Sequence, residues 1–183
     1  NRDGGVNLNS WSIFGTYMPD GFDSYAVNGV TYLVTANEGD GREYVSDATD
    51  EADCTAQGGF LFDDGDCFHY LDEIRVRDLD ASQFTDDLVA KLGADFQDQD
   101  KLGRLKMITA QGLEDASACT TLATTGQPIA YPDETPVAGC VYRDIYSFGS
   151  RSFTIWNLDT GRPVFDSGSD FEVITAEQLG GFF

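Results

Sequence analysis

Apolar and polar residues alternate along much of the chain in short runs separated by turn residues, the period-two pattern of half-buried β-strands. From Trp11 to Glu38 three such runs follow one another: WSIFGTY, then FDSYAV after the turn Met18-Pro19-Asp20-Gly21, then VTYLVTANE after Asn28-Gly29. Asn-Gly between aromatic and β-branched runs is the strongest short hairpin signal, because a type I′ turn needs positive φ at both central residues. Tyr25, Val27, Tyr32 and Val34 carry the alternation here. The design returns near Arg143 as DIYSFG, SFTIWNL, the turn Asp159-Thr160-Gly161 and PVFDSG, with Phe153, Ile155 and Leu158 framing the pattern. Short antiparallel strands recurring at two places predict propeller blades or a sandwich.

Between these two stretches the regularity breaks. Residues 45–72 read as a polar insertion, followed by a strand in EIRVRDL (73–79). A helix comes next: Thr85 can cap it, Asp86 and Asp87 suit the positive end of its dipole, Leu88 and Leu92 share a face, and Gly93 ends it. LGRLKMITA predicts another strand, and residues 112–142 form a second insertion. Thr175 and Gln178 have capping-box spacing and predict a short helix at the tail. Each insertion holds two of the four cysteines, in stretches that look exposed, so the expected bridges are Cys54–Cys67 and Cys119–Cys140. Such bridges imply an oxidising compartment, and with no signal peptide in view Asn1 is expected to be a processed or fragmented start. With no linker to divide it, the chain is expected to form one domain over 1–183.

Charge narrows the functional classes. The 183 residues carry 24 Asp and 8 Glu against 11 Lys and Arg, a formal net charge of −21, while 41% are apolar. That apolar share supports a packed core rather than disorder. The charge repels phosphate backbones and anionic lipid, which argues against nucleic acid as a partner, and no apolar stretch suits insertion into a membrane. Divalent cations are the natural counter-partners, and Asp is the short carboxylate that suits tight oxygen cages. A merely solubilising surface accounts for the composition equally well.

Common catalytic signatures are missing. The only histidine, His69, lies in the acidic insertion beside Cys67 and is a poor base for a serine or cysteine nucleophile. No nucleotide-binding glycine loop occurs, and Asp98-Gln99-Asp100-Lys101-Leu102-Gly103 fails as an EF-hand because Leu102 stands where an oxygen ligand is required. The most ionic loop follows a strand and runs from Thr35 to Tyr44. There Asn37, Glu38, Asp40 and Glu43 offer oxygen ligands, and Arg42 offers a fork for an anion or for an internal ion pair with its acidic neighbours. Arg75 and Arg151 are charges set within β runs and are expected to pair internally or to face a solvent channel.

The segments RDGG (2–5), GTYMPDGF (15–22), TYLVTANEGDGREY (31–44), EIRVRDL (73–79), LGRLKM (102–107) and YSFGSRSFTIWNLDTGRPVFDSGSDFE (146–172) resemble the choice-of-anchor I family. That family includes mesenchyme-specific cell-surface glycoproteins of biomineralising animals and secreted bacterial and algal proteins. The resemblance implies an all-β fold of antiparallel propeller blades with short helices and two disulfide-pinned insertions, displayed at the cell surface or outside the cell. Family domains are longer, and at about 40–45 residues per blade this chain supplies roughly three blades, a partial propeller. Remaining blades of the same protein, or other protein chains, are then the expected partners.

Two functions follow as expectations. One is a structural and interaction module for extracellular matrix, adhesion or mineral-associated assembly, binding calcium through Asp20, Glu38, Asp40 and Glu43, with Asp3 and Glu73 behind them. The other rests on the phosphatase-like names of some family members. It is a calcium-dependent phosphoesterase, in which the same carboxylates hold the ions and Arg42 or Arg151 steadies the phosphate.

Overall fold

A computed structural model describes residues 8–179, so Asp3 lies outside the described residues. In chain order the elements are β1 (Phe14–Gly15), β2 (Gly21–Val27), β3 (Val30–Asn37), β4 (Glu43–Asp47), α1 (Glu51–Ala56), β5 (Leu61–Asp63), β6 (Asp66–Leu71) and β7 (Glu73–Arg75). They continue with α2 (Asp86–Leu92), β8 (Lys106–Ile108), β9 (Ile129–Ala130), β10 (Thr135–Pro136), β11 (Tyr146–Ser147), β12 (Ser152–Asn157), β13 (Arg162–Asp166) and α3 (Asp170–Leu179). The chain divides into two compact units, residues 8–40 with 147–179 and residues 41–146.

In the first unit β2 and β3 form the predicted hairpin, with Asn28 and Gly29 at φ 53° and 81°. β12 and β13 form a second hairpin. The sequence pattern places these hairpins in two stretches far apart in the chain. β3 pairs with β12 along six residues, Ser152 opposite Asn37 through Asn157 opposite Tyr32, and one antiparallel sheet results in the order β13-β12-β3-β2. Each stretch supplies only one full hairpin, because WSIFGTY gives just the two-residue β1 and DIYSFG just the two-residue β11. Two hairpins with open edges satisfy more backbone groups by joining than apart.

The interior of this sheet is polar. Thr35, Asn37, Ser152 and Thr154 are buried on one face. Asn37 Nδ2 donates to Ser152 Oγ (3.0 Å) and Thr154 Oγ1 (2.7 Å), and its Oδ1 accepts from Thr35 Oγ1 (3.0 Å). Thr154 Oγ1 donates to Asp166 Oδ2 (2.5 Å), and Trp156 Nε1 donates to Thr35 Oγ1 (3.0 Å). A buried network with its members paired fixes the register of β3 against β12 more sharply than apolar contacts would. On the opposite face Tyr25 stacks on Tyr32, and Phe153 meets Phe165 and Phe171. Tyr25, Val27 and Phe165 remain exposed there.

The second unit holds the apolar core. Among the described residues, every buried hydrophobic side chain lies between Cys54 and Ile145. α2 forms as its sequence dictates, with Thr85 Oγ1 accepting from the Leu88 amide (3.3 Å) and Gly93 ending it at φ 91°. Leu88 and Leu92 are buried, and the same unit holds the edge-on pair Phe84–Phe96 with the ring of Tyr142 beside Phe84. EIRVRDL yields only the short β7, which pairs with β8 before a 3₁₀ turn at Val76–Asp78. The segment read as an insertion is itself organised: β4, β6 and β5 form a three-stranded antiparallel sheet, and α1, capped by Asp50, is tied to β6 by Cys54–Cys67. Cys119–Cys140 closes the other predicted bridge. The tail helix starts earlier than its capping-box spacing suggests, since α3 begins at Asp170 and places Thr175 in its interior.

Tyr142 is fully buried, and its hydroxyl donates to the Thr109 carbonyl oxygen (2.7 Å). Burial pushes its pKa far above the usual tyrosine value, and burial together with Glu134 and Asp78 pushes Tyr131 up to about 12. Both pKa values are higher folded than unfolded, so above a pH of about 10 the unfolded chain releases these protons first. Stability is therefore expected to hold up to about pH 10 and to fall as pH rises further. Rapid alkaline denaturation curves check this, and Tyr142→Phe should flatten the fall; an unchanged slope in that variant would exclude Tyr142 as its source.

Candidate functional site

The loop after β3 is built on close backbone approach. Gly39 (φ 70°) and Gly149 (φ 61°) face one another, and a Cβ on Gly149 would overlap the Glu38 carbonyl oxygen. The Asn37 carbonyl accepts from the amides of both Ser150 and Arg151 (3.0 Å each). This clamp sets Glu38 and Asp40 at the end of β3, both exposed. Asp20 is also exposed, and its amide donates to the Ala36 carbonyl (2.9 Å). Asn37 is not available as a loop ligand: it is 1% exposed and its amide is committed to the buried network.

In the second unit Glu43 opens β4 and is exposed, whereas Glu73 is half-buried and ion-paired with Lys106. Among the described residues, no group of three or more His, Cys, Asp or Glu side chains is placed to hold a metal ion.

Arg42 pairs with Asp72, thirty residues away, rather than with its own loop neighbours. Its Nε and its backbone amide each donate to the Asp72 carboxylate at 2.7 Å, and its guanidinium lies over the Tyr70 ring at 5.6 Å. The hydrogen bond that Arg42 donates to Asp72, together with the charge of that carboxylate, raises the Arg42 pKa further. With 64% of the Arg42 side chain in solvent, the pair orients the loop more than it stabilises the fold. Arg75 donates to the Arg104 carbonyl (3.1 Å), and Arg151 pairs with Glu172 (3.0 Å), so all three arginines have protein partners.

His69 Nε2 lies 2.9 Å from Ser46 Oγ, yet the hydrogen-bond directions oppose nucleophilic use. Gln57 Nε2 donates to the Asp47 carbonyl, which turns Gln57 Oε1 toward Ser46 to accept its proton. Ser46 then has no second proton for His69, which must itself be the donor.

One cavity was not legible in the sequence. It lies in the first unit, has a volume of about 530 Å³, and is lined by Asn9, Trp11, Ser150, Arg151, Ser169 and Glu172 among others. Arg151 occupies the left-handed region at φ 52°, which is uncommon for a residue with a side chain. Its walls come from three distant stretches of chain, and only Arg151 had a local signal, a charge within a β run.

The fold and its bridges define a disulfide-stabilised, mostly antiparallel β protein in which, among the described residues, no closed barrel or ring of blades forms. The profile of the choice-of-anchor I domain matches residues 1–127 and 129–183, and the chain belongs to that family. Comparisons with curated proteins and with solved structures give no match. The family name and the two disulfides point to a surface or extracellular protein, and no helix among the described residues is long and apolar enough to cross a membrane.

Proposed function

We propose that the chain is a surface-displayed structural and interaction module that associates with further protein through its exposed sheet face and binds calcium at strand ends. The sheet β13-β12-β3-β2 buries polar residues on one face while leaving Tyr25, Val27 and Phe165 in solvent on the other. On a chain of net charge −21, these exposed apolar side chains support a contact role for that face. Further blades of a propeller are the partners that the family suggests for it.

Calcium accepts backbone carbonyls and water alongside carboxylates, so one or two exposed carboxylates at the Glu38–Asp40 loop suffice for a weak site. Extracellular modules bind it with Kd of about 10⁻⁴ to 10⁻³ M. Asp40→Asn keeps the size and removes the charge, and is expected to weaken calcium binding about tenfold by calorimetric titration. Unchanged affinity in that variant would retire the loop as the site.

A further inference from the structure

We propose that the cavity lined by Trp11, Arg151 and Glu172 binds a neutral saccharide of one or two pyranose rings. This deepens the interaction-module reading by naming a ligand class, and it is independent of calcium. The volume of about 530 Å³ falls within the range of small-molecule sites. Its polar lining is mixed: Arg151 offers only donors, Glu172 only acceptors, and Asn9, Ser150 and Ser169 offer both. A ligand rich in hydroxyls, each donor and acceptor at once, matches such a lining better than an ion does.

Charge points the same way. Arg151 and Glu172 are ion-paired at 3.0 Å, so together they bring no net charge to the cavity. An anion would have to displace Glu172 within a chain of net charge −21, and a cation would have to displace Arg151. Vicinal hydroxyls can instead bridge the pair, donating to the carboxylate and accepting from the guanidinium. The Arg151 side chain is 78% exposed and therefore reachable. Trp11 adds an indole, the large amphipathic surface against which the C–H face of a sugar ring packs.

The walls are also held in place. The Arg151 amide donates to the Asn37 carbonyl, and Ser150 Oγ lies 2.8 Å from Ser152 Oγ at the rim of the buried network. The left-handed conformation of Arg151 persists because its surroundings over-determine it, a form of backbone strain that clusters at ligand sites. A fixed wall lowers the ordering cost of binding.

Saturation-transfer NMR on the whole chain, with maltose, cellobiose and lactose as probes, tests the proposal. At least one should show saturable binding in the millimolar range, while sulfate and glucuronate neither bind nor compete. Arg151→Gly removes the guanidinium and also relieves the positive φ, so it should remain folded and lose at least about tenfold in affinity; Glu172→Gln should lose a similar factor. Absence of binding by all three sugars would overturn the proposal. So would sulfate binding in their place, or sugar binding that both variants leave unchanged. The calcium reading fails or survives separately, through its own titration.

Discussion

Gly149→Ala is expected to destabilise the protein by about 4 kcal/mol, combining the cost of a side chain in the left-handed region with overpacking of a closed contact. At φ 61° the backbone already disfavours alanine, and the new Cβ would occupy the position of the Glu38 carbonyl oxygen. No flexible side chain can yield, because the obstruction is backbone. The strain should therefore pass into the Asn37–Asp40 segment, opening the clamp that holds Glu38 and Asp40 at the end of β3. Gly21→Ala is the matched control: its Cβ meets nothing within 4 Å, and its effect should stay within about 0.5 kcal/mol. Chemical denaturation of both variants measures the difference. Equal stabilities would show that the close approach of these two loops contributes nothing.

Replacing Cys54 and Cys67 together with alanine should cost about 3 kcal/mol. Their bridge spans 13 residues, and both sulfurs are buried where α1 meets β6. The loss should also be local. Amide protection should fall in α1, β5 and β6, because the short α1 has little stability of its own once the tie is cut. The sheet β13-β12-β3-β2, whose strands pair without any cysteine, should keep its protection. Hydrogen exchange read residue by residue distinguishes this from global loosening, which would contradict a local role for the bridge.

These two sites mark what the sequence can and cannot reveal. Local chemistry was legible: the Asn28-Gly29 hairpin, the Thr85 cap and Gly93 stop of α2, and both cysteine pairs, because each depends on residues close together in the chain. The joining of the two hairpins was not, since β3 and β12 lie over a hundred residues apart and their pairing is fixed by a hydroxyl and amide network. Asn37 looked like a loop ligand because it precedes Glu38, yet it is the last residue of β3 and faces inward. Arg42 reads in the sequence as a fork for an anion or for an ion pair with its acidic neighbours, whereas Asp72 is the carboxylate brought against it by the fold. The cavity at Arg151 escaped for the same reason, its walls being distant in sequence. The Thr175-Gln178 spacing misleads because α3 already begins at Asp170, which leaves Thr175 inside the helix rather than at its cap.

A thermal melt in calcium and again in chelator at matched ionic strength tests the proposal that this surface module binds calcium. Calcium at about 10–100 times its Kd stabilises a folded chain by about 1.4–2.7 kcal/mol, which for a protein of this size raises Tm by about 3–10 °C. A saturable shift of that order, reduced in Asp40→Asn, is the expected result. Identical melts with and without calcium would contradict it and leave the acidic strand ends as solvated surface.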